Sequence, residues 1–367
     1  MTALRFCLLF GLAVSGSVLN PPIAFGIVNS DPNGDFVVPI GTALGDAVGT
    51  LTSAFGTEQE AKCSCALLPT RSHVLTAAHC VRVYGKATEA FATWQTATGP
   101  VQLQASAIEV HPAFESFYDH DPASYTAGFY AALWQGVDLA VLTLESAAPT
   151  GVTSVDILRD NSGLEFSDSF LRIGYGAYGV GDEGWTNPPD GQKRFGWNEW
   201  DTYEEDVIPH FDAYGLYPEN FLFSDFDSGL EADSALGGLG LGLIEAASAP
   251  GDSGSPSFIG TAAGTRIAGV TSGGYGINSS WGSIGFDIRV SSLLNQRFID
   301  LVSLEEKWLG DVDLTGDIDV NDINTLFATM WFGGAPLSHR DLNGDGSVTF
   351  ADVDTLVRDL LQTEYGV

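Results

Sequence analysis

Three short motifs carry the chemistry of this chain. Leu75-Thr76-Ala77-Ala78-His79-Cys80 comes first, Val137-Asp138-Leu139-Ala140-Val141-Leu142 follows, and Ala249-Pro250-Gly251-Asp252-Ser253-Gly254-Ser255-Pro256 comes last. A serine hydroxyl is a weak nucleophile at neutral pH. It becomes useful when an imidazole takes its proton and a buried carboxylate fixes the tautomer and orientation of that imidazole. His79, Asp138 and Ser253 supply these three groups. Taken singly, Gly-Asp-Ser-Gly is an ordinary polar turn and an Asp before an apolar run simply ends a strand. Their conjunction points to covalent catalysis at Ser253.

The elements that must position these residues read as short strands between tight turns. Val74 to Ala77 leads into His79, Leu139 to Leu144 follows Asp138, and Arg172 to Gly176 and Ile267 to Gly274 are further strand candidates. Glycine contributes 44 of 367 residues, and Val, Ile and Thr cluster between Gly, Asp, Asn and Pro turns, which favours a mostly β body. The length suggests two or three units. Ser291 to Val302 has helical apolar spacing after a Ser N-cap and closes the β region near Lys307. Residues 183 to 235, rich in aromatics and acids, read as an elaborated surface loop.

The motifs and their order, His then Asp then Ser, resemble the trypsin/chymotrypsin-like serine peptidases. The resemblance implies a double six-stranded β-barrel domain over residues 27–307 that cleaves protein or peptide substrates. Ser253 would attack the scissile carbonyl, His79 would act as base and then acid, and Asp138 would orient His79. The N–H groups of Gly251 and Ser253 would form the oxyanion hole. Ser272 and Gly274 would lie on the strand beside the substrate. Ala247 stands where trypsins carry the Asp that selects Arg or Lys, and Thr271 where glutamate-specific relatives carry His, so the implied pocket is neutral and suits a small or medium apolar P1 residue. The family also implies that a freshly cut Ile27 inserts its ammonium against Asp252; the other reading is that Ile27-Val28 merely begins a strand. A disulfide from Cys80 back to Cys63 is implied too, with Cys65 a competitor because residues two apart on a strand face the same way.

The net charge of −32, with only 15 Lys and Arg, excludes nucleic acid as a partner. Residues 1–26 read as a secretory signal peptide, with basic Arg5, an apolar run from Phe6 to Leu19, and Ala24-Phe25-Gly26 as the cleavage site. No later stretch approaches the roughly 18 apolar residues of a membrane span. The expected location is therefore secreted or extracytoplasmic. Cys7 leaves with the signal, and of the remaining Cys63, Cys65 and Cys80 one must stay unpaired or bond another chain.

Beyond residue 308 the acids become periodic. Asp311, Asp313, Thr315, Asp317, Asp319 and Asp322 recur 30 residues later as Asp341, Asn343, Asp345, Ser347, Thr349 and Asp352, with Gly316 and Gly346 at the sixth place. Oxygen donors in this rhythm around a Gly turn are the logic of an EF-hand calcium loop. Each loop is followed by one apolar-striped helix, Ile323 to Met330 and Val353 to Leu361, and ends in Asp rather than Glu. This arrangement resembles a type I dockerin, which implies a small α-helical calcium-binding module over residues 308–367 and a cohesin-like or other surface protein as partner. Val320-Asn321 and Phe350-Ala351 stand where cellulosomal dockerins often carry a Ser/Thr pair. The alternative reading of the whole chain is a non-catalytic protease-fold scaffold anchored through this module.

Overall fold

The computed structural model describes residues 27–31, 33–34, 36–56, 59–118, 132–159, 162–167, 169–202, 218–303, 320–332 and 349–365. The expected signal peptide and most of the expected calcium ligands lie outside them. After a two-residue strand β1 (Val28–Asn29), six strands form a closed barrel: β2 (Val48–Ala54), β3 (Glu60–Leu67), β4 (His73–Thr76), β5 (Glu89–Thr96), β6 (Gly99–Val110) and β7 (Ala140–Leu144). They close in the order β2-β3-β4-β7-β6-β5. In β5, residues alternate between buried Ala90, Ala92 and Trp94 and outward neighbours, the period-2 pattern of a strand with one face in the core. Trp94 is fully buried, and its indole N–H donates to the Ala47 carbonyl at 3.3 Å, giving the polar edge of the ring the partner that burial demands.

The second half is built from β8 (Phe170–Gly174), β9 (Tyr178–Val180), β10 (Gly184–Asn187), β11 (Arg194–Asn198), β12 (Phe221–Asp225), β13 (Ala246–Ala247), β14 (Pro256–Thr261), β15 (Gly264–Tyr275) and β16 (Ile284–Arg289). Six of these form one sheet in the order β11-β8-β14-β15-β16-β12, and β10-β9-β1-β13 form a small second sheet. The larger sheet curls into a half-barrel and differs from the expected second closed barrel. Its edge strands do not form a ladder. They meet where Asp201 N–H donates to Phe223 O at 2.8 Å and Phe223 N–H to Thr202 O at 2.9 Å, so the chain just past β11 bridges to β12 with two bonds. Phe221, Phe223 and Phe286 pack ring to ring on its inner face and share one apolar core with the closed barrel.

Cys63 on β3 is bonded to Cys80, and Cys65 is free and buried. Closing a loop of 17 residues contributes about 3 kcal/mol in the chain-entropy account. The helix expected from Ser291 starts two residues later and spans Leu293–Ser303, because the Ser291 hydroxyl donates to Glu165 instead of capping. The C-terminal helices span Val320–Phe332 and Phe350–Tyr365. They pack through Leu326, Val353 and Leu356, flanked by Ile323, Met330 and Val357. No helix is long and apolar enough to cross a membrane among the described residues.

Candidate active site

His79 opens a one-turn helix, His79–Arg82, immediately after β4, and Asp138 precedes β7, the barrel neighbour of β4. Thr76 pairs with Ala140 in that ladder, so hydrogen-bond register alone brings the two motifs together. Asp138 is fully buried and accepts three hydrogen bonds. The His79 backbone N–H donates to Oδ1 at 2.8 Å, His79 Nδ1 lies 2.6 Å from Oδ2, and the Ser272 hydroxyl donates to Oδ2 at 2.5 Å. An ionised carboxylate only accepts, so the Nδ1 position must carry the proton and Nε2 becomes the acceptor site of the ring.

The Ser253 turn belongs to the other half of the molecule and is stitched to this one through Ser64, by its backbone N–H and its hydroxyl. Ser64 N–H donates to Ser253 O at 2.8 Å, Ser64 Oγ donates to Gly251 O at 3.2 Å, and Thr76 Oγ1 donates to Ser64 O at 2.8 Å. Gly254 N–H donates to Thr271 O at 2.8 Å, one residue from Ser272. Thr76 is three residues from His79, and Ser272 is bonded to Asp138, so the turn is tied to both other motifs. Gly251 and Gly254 have φ of 103° and 78°, the left-handed region that glycine enters without cost. A side chain at Gly254 would collide with Thr76 Oγ1 and the Ser64 carbonyl.

Beneath the nucleophile turn lies a buried polar network. Arg172 places one nitrogen 2.8 Å from each oxygen of Asp287 and donates through Nε to Thr271 Oγ1 at 3.0 Å. Asp287 also accepts from Ser257 Oγ at 2.7 Å and Trp200 Nε1 at 3.3 Å. Thr271 N–H in turn donates to Ser255 O at 2.9 Å. Four donor contacts leave the buried carboxylate well satisfied, as a buried charge requires.

Asp252 is fully buried. It accepts from Gly176 N–H at 2.6 Å and Ala249 N–H at 2.9 Å. Burial pushes its carboxyl up to about 7, against the pull of those two amides and of Arg172 and Arg194. Ile27 is 1 % exposed, and Val28 pairs with both Ala247 and Gly179. The start of the expected domain is thus threaded into the sheet that carries Ala247. Gly274 lies on β15, where an added Cβ would stand 3.0 Å from Ile284 O.

Ser272, whose strand was expected to run beside a substrate, also reaches Asp138 through its hydroxyl, a bond sequence reasoning did not anticipate. The roles of Ser64, Thr76, Arg172 and Asp287 went unread; isolated Ser, Thr or Arg residues carry no local signal for a partner a hundred positions away. Of the expected calcium ligands, only Asp322, Thr349 and Asp352 fall in the described residues. Asp322 and Asp352 are fully buried at matching places near the start of their helices. Asp352 Oδ2 accepts from Thr349 N–H at 2.6 Å, a helix-capping contact. Compared with known proteins, the chain matches no protein-family model and no curated protein.

Proposed function

We propose that this protein is a secreted serine endopeptidase that cleaves peptide bonds through an acyl-enzyme at Ser253. The observation that supports this most is the threefold hydrogen bonding of buried Asp138, two of whose bonds come from His79. That arrangement holds the imidazole in the tautomer a general base needs. His79 Nε2 takes the Ser253 proton as Oγ attacks the carbonyl, then returns it to the leaving amine. The N–H groups of Gly251 and Ser253, on a turn shaped by left-handed glycines, stabilise the developing oxyanion.

Ala247 and Gly274 bring no charge to the pocket, which favours a small or medium apolar P1 side chain. Ile27, freed by signal cleavage, supplies an ammonium for Asp252. The C-terminal segment is read as a dockerin-like calcium module that tethers the enzyme to a cohesin-like or other surface protein; the burial of Asp322 and Asp352 at matching helix starts is compatible with the last-ligand role. Calcium there would order the loops by neutralising their acids. A fluorophosphonate probe on the secreted protein tests the catalytic reading. Covalent labelling that disappears in Ser253→Ala, with peptidase turnover falling by about 10⁶, is the expected result. An unlabelled Ser253, or turnover unchanged by its removal, returns the chain to the scaffold alternative.

A further inference from the structure

Three consecutive amides just after β8 form a rack under the Ser253 turn. Tyr175 N–H donates to Ser64 Oγ at 3.2 Å, Gly176 N–H to Asp252 Oδ1 at 2.6 Å, and Ala177 N–H to Pro250 O at 2.8 Å. Ser64, fully buried on β3, links the first of them to the turn. An amide can only donate, so the Ser64 hydroxyl accepts from Tyr175. Its single proton goes to Gly251 O at 3.2 Å, which can only accept. The same residue gives its backbone N–H to Ser253 O at 2.8 Å.

These contacts fix peptide planes. In a trans peptide the C=O and the N–H point in opposite directions, so a carbonyl that is held aims the amide across its bond. Ala177 holds Pro250 O and thereby aims Gly251 N–H. The next plane is held at both ends, Gly251 O by Ser64 Oγ and Asp252 N–H by Ala249 O at 2.9 Å. Asp252 O then accepts from Ser255 N–H at 2.8 Å, which aims Ser253 N–H. The amides of Asp252, Gly254 and Ser255 are thus bonded within the fold, whereas those of Gly251 and Ser253 donate to no group among the described residues. Gly251, at φ 103°, is the hinge between the first two planes. Glycine resists rotation least, so the aim of its N–H rests on what holds the carbonyls on either side. Of the carbonyls of Pro250, Gly251 and Ser253, that of Gly251 alone is held by a side chain among the described residues.

We propose that Ser64 is a positioning residue of the oxyanion hole: its hydroxyl braces the Gly251 peptide, so that Gly251 N–H is already aimed when the substrate carbonyl oxygen becomes charged. The proposal rests on the reading of Ser253 as nucleophile and of the Gly251 and Ser253 amides as oxyanion donors. Donors held in advance need no reorganisation at the moment of reaction. A bond that steadies such a donor therefore matters more to the charged tetrahedral state than to the neutral ground state. Ser64 touches no reacting atom. The Thr76 hydroxyl bonds its backbone carbonyl, a contact that a side-chain substitution keeps, and neither His79 nor Asp138 bonds its hydroxyl. Loss of that hydroxyl should fall on kcat and spare KM.

Ser64→Ala in the full chain tests it, with a chromogenic peptide anilide chosen from a P1 library as substrate. Two inhibitors share that peptide sequence: the aldehyde, which adds to Ser253 and places an oxyanion in the hole, and the amide, which does not. In Ser64→Ala kcat should fall about tenfold, less than the roughly hundred- to thousandfold loss that follows removal of a whole donor. Aldehyde affinity should fall by the same factor, while KM, amide affinity and the pH profile set by His79 stay as they were. Unchanged kcat, or a fall in kcat without a matching loss of aldehyde affinity, overturns the brace. So does an equal loss of aldehyde and amide affinity, which marks a purely structural role. Fluorophosphonate labelling of the parent comes first. An unlabelled Ser253 removes the peptidase reading and the brace with it, whereas a labelled parent whose turnover survives Ser64→Ala removes the brace alone. Should Ser64→Ala not fold, Ser64→Cys takes its place under the same criteria, since residue 64 faces away from the Cys63–Cys80 bond and a thiol donates only weakly.

Discussion

Ser272 Oγ stands 2.5 Å from Asp138 Oδ2, the same oxygen that holds His79 Nδ1 at 2.6 Å. The carboxylate is therefore anchored from the β15 side as well as the histidine side. Asp138→Asn should lower kcat by about 10⁴ by presenting an amide donor to Nδ1 and reversing the tautomer. Ser272→Ala should cost far less, about tenfold, with KM little changed, since it loosens the anchor and leaves the acceptor in place. Equal losses in the two variants would remove Ser272 from a merely supporting role.

The state of Asp252 should report on the N-terminus. In a chain extended upstream of Ile27, its carboxyl is raised from 3.8 to about 7. A raised carboxyl contributes stability that is fully present below its ordinary value and lost as pH climbs through the folded one. The extended form should lose thermal stability between pH 3.8 and about 7, and Asp252→Asn should flatten that slope. A chain beginning at Ile27 supplies an ammonium and should resist the loss; there Asp252→Asn should cost about 3 to 5 kcal/mol. Identical melting profiles for the two forms would eliminate the inserted terminus.

The Arg172 and Asp287 pair should show the asymmetry of buried charges. Arg172→Met strands a carboxylate that is fully buried, at a cost of about 3 to 5 kcal/mol. The double variant Arg172→Met with Asp287→Leu should recover most of that. Urea unfolding of the four members of the cycle measures the coupling, and a double variant no better than Arg172→Met contradicts the account.

Calcium at the C-terminal module should depend on Asp352, which is buried, and not on Asp354, which is exposed two positions along the same helix. Calorimetry on the full chain should lose its tightest calcium sites in Asp322→Ala with Asp352→Ala, and keep them in Asp354→Ala. Unchanged heats in the first variant would separate the module from calcium. Peptidase turnover should survive deletion of residues 308–367.

What the sequence made legible was local. His79, Asp138 and Ser253 sit in turns or at strand ends whose residue types are dictated within four or five positions, so their motifs could be read directly. Cys63 and Cys65 could not be separated, because both point the same way from β3 and only the position of Cys80 decides between them. The half-barrel was anticipated as a closed barrel, since closure rests on two bonds at Phe223 rather than on any strand pattern. Arg172 and Asp287 are 115 residues apart, and ion pairs of that kind leave no trace in periodicity. Residues 183 to 235 read as an elaborated surface loop because their aromatics and acids follow no regular period, whereas the fold places β10, β11 and β12 there and buries Arg194, Trp200, Phe221 and Phe223.

Cys65 gives the disulfide a further property. It lies two residues from Cys63 on one strand, a natural competitor for Cys80, yet burial pushes its thiol up to about 12 from an ordinary 9.0. Exchange requires the thiolate. Burial therefore keeps that species far scarcer at Cys65 than at an exposed cysteine. Once the barrel has closed, the chain is thus insulated from shuffling to the wrong partner, and the choice between the two cysteines is made during folding and kept afterwards.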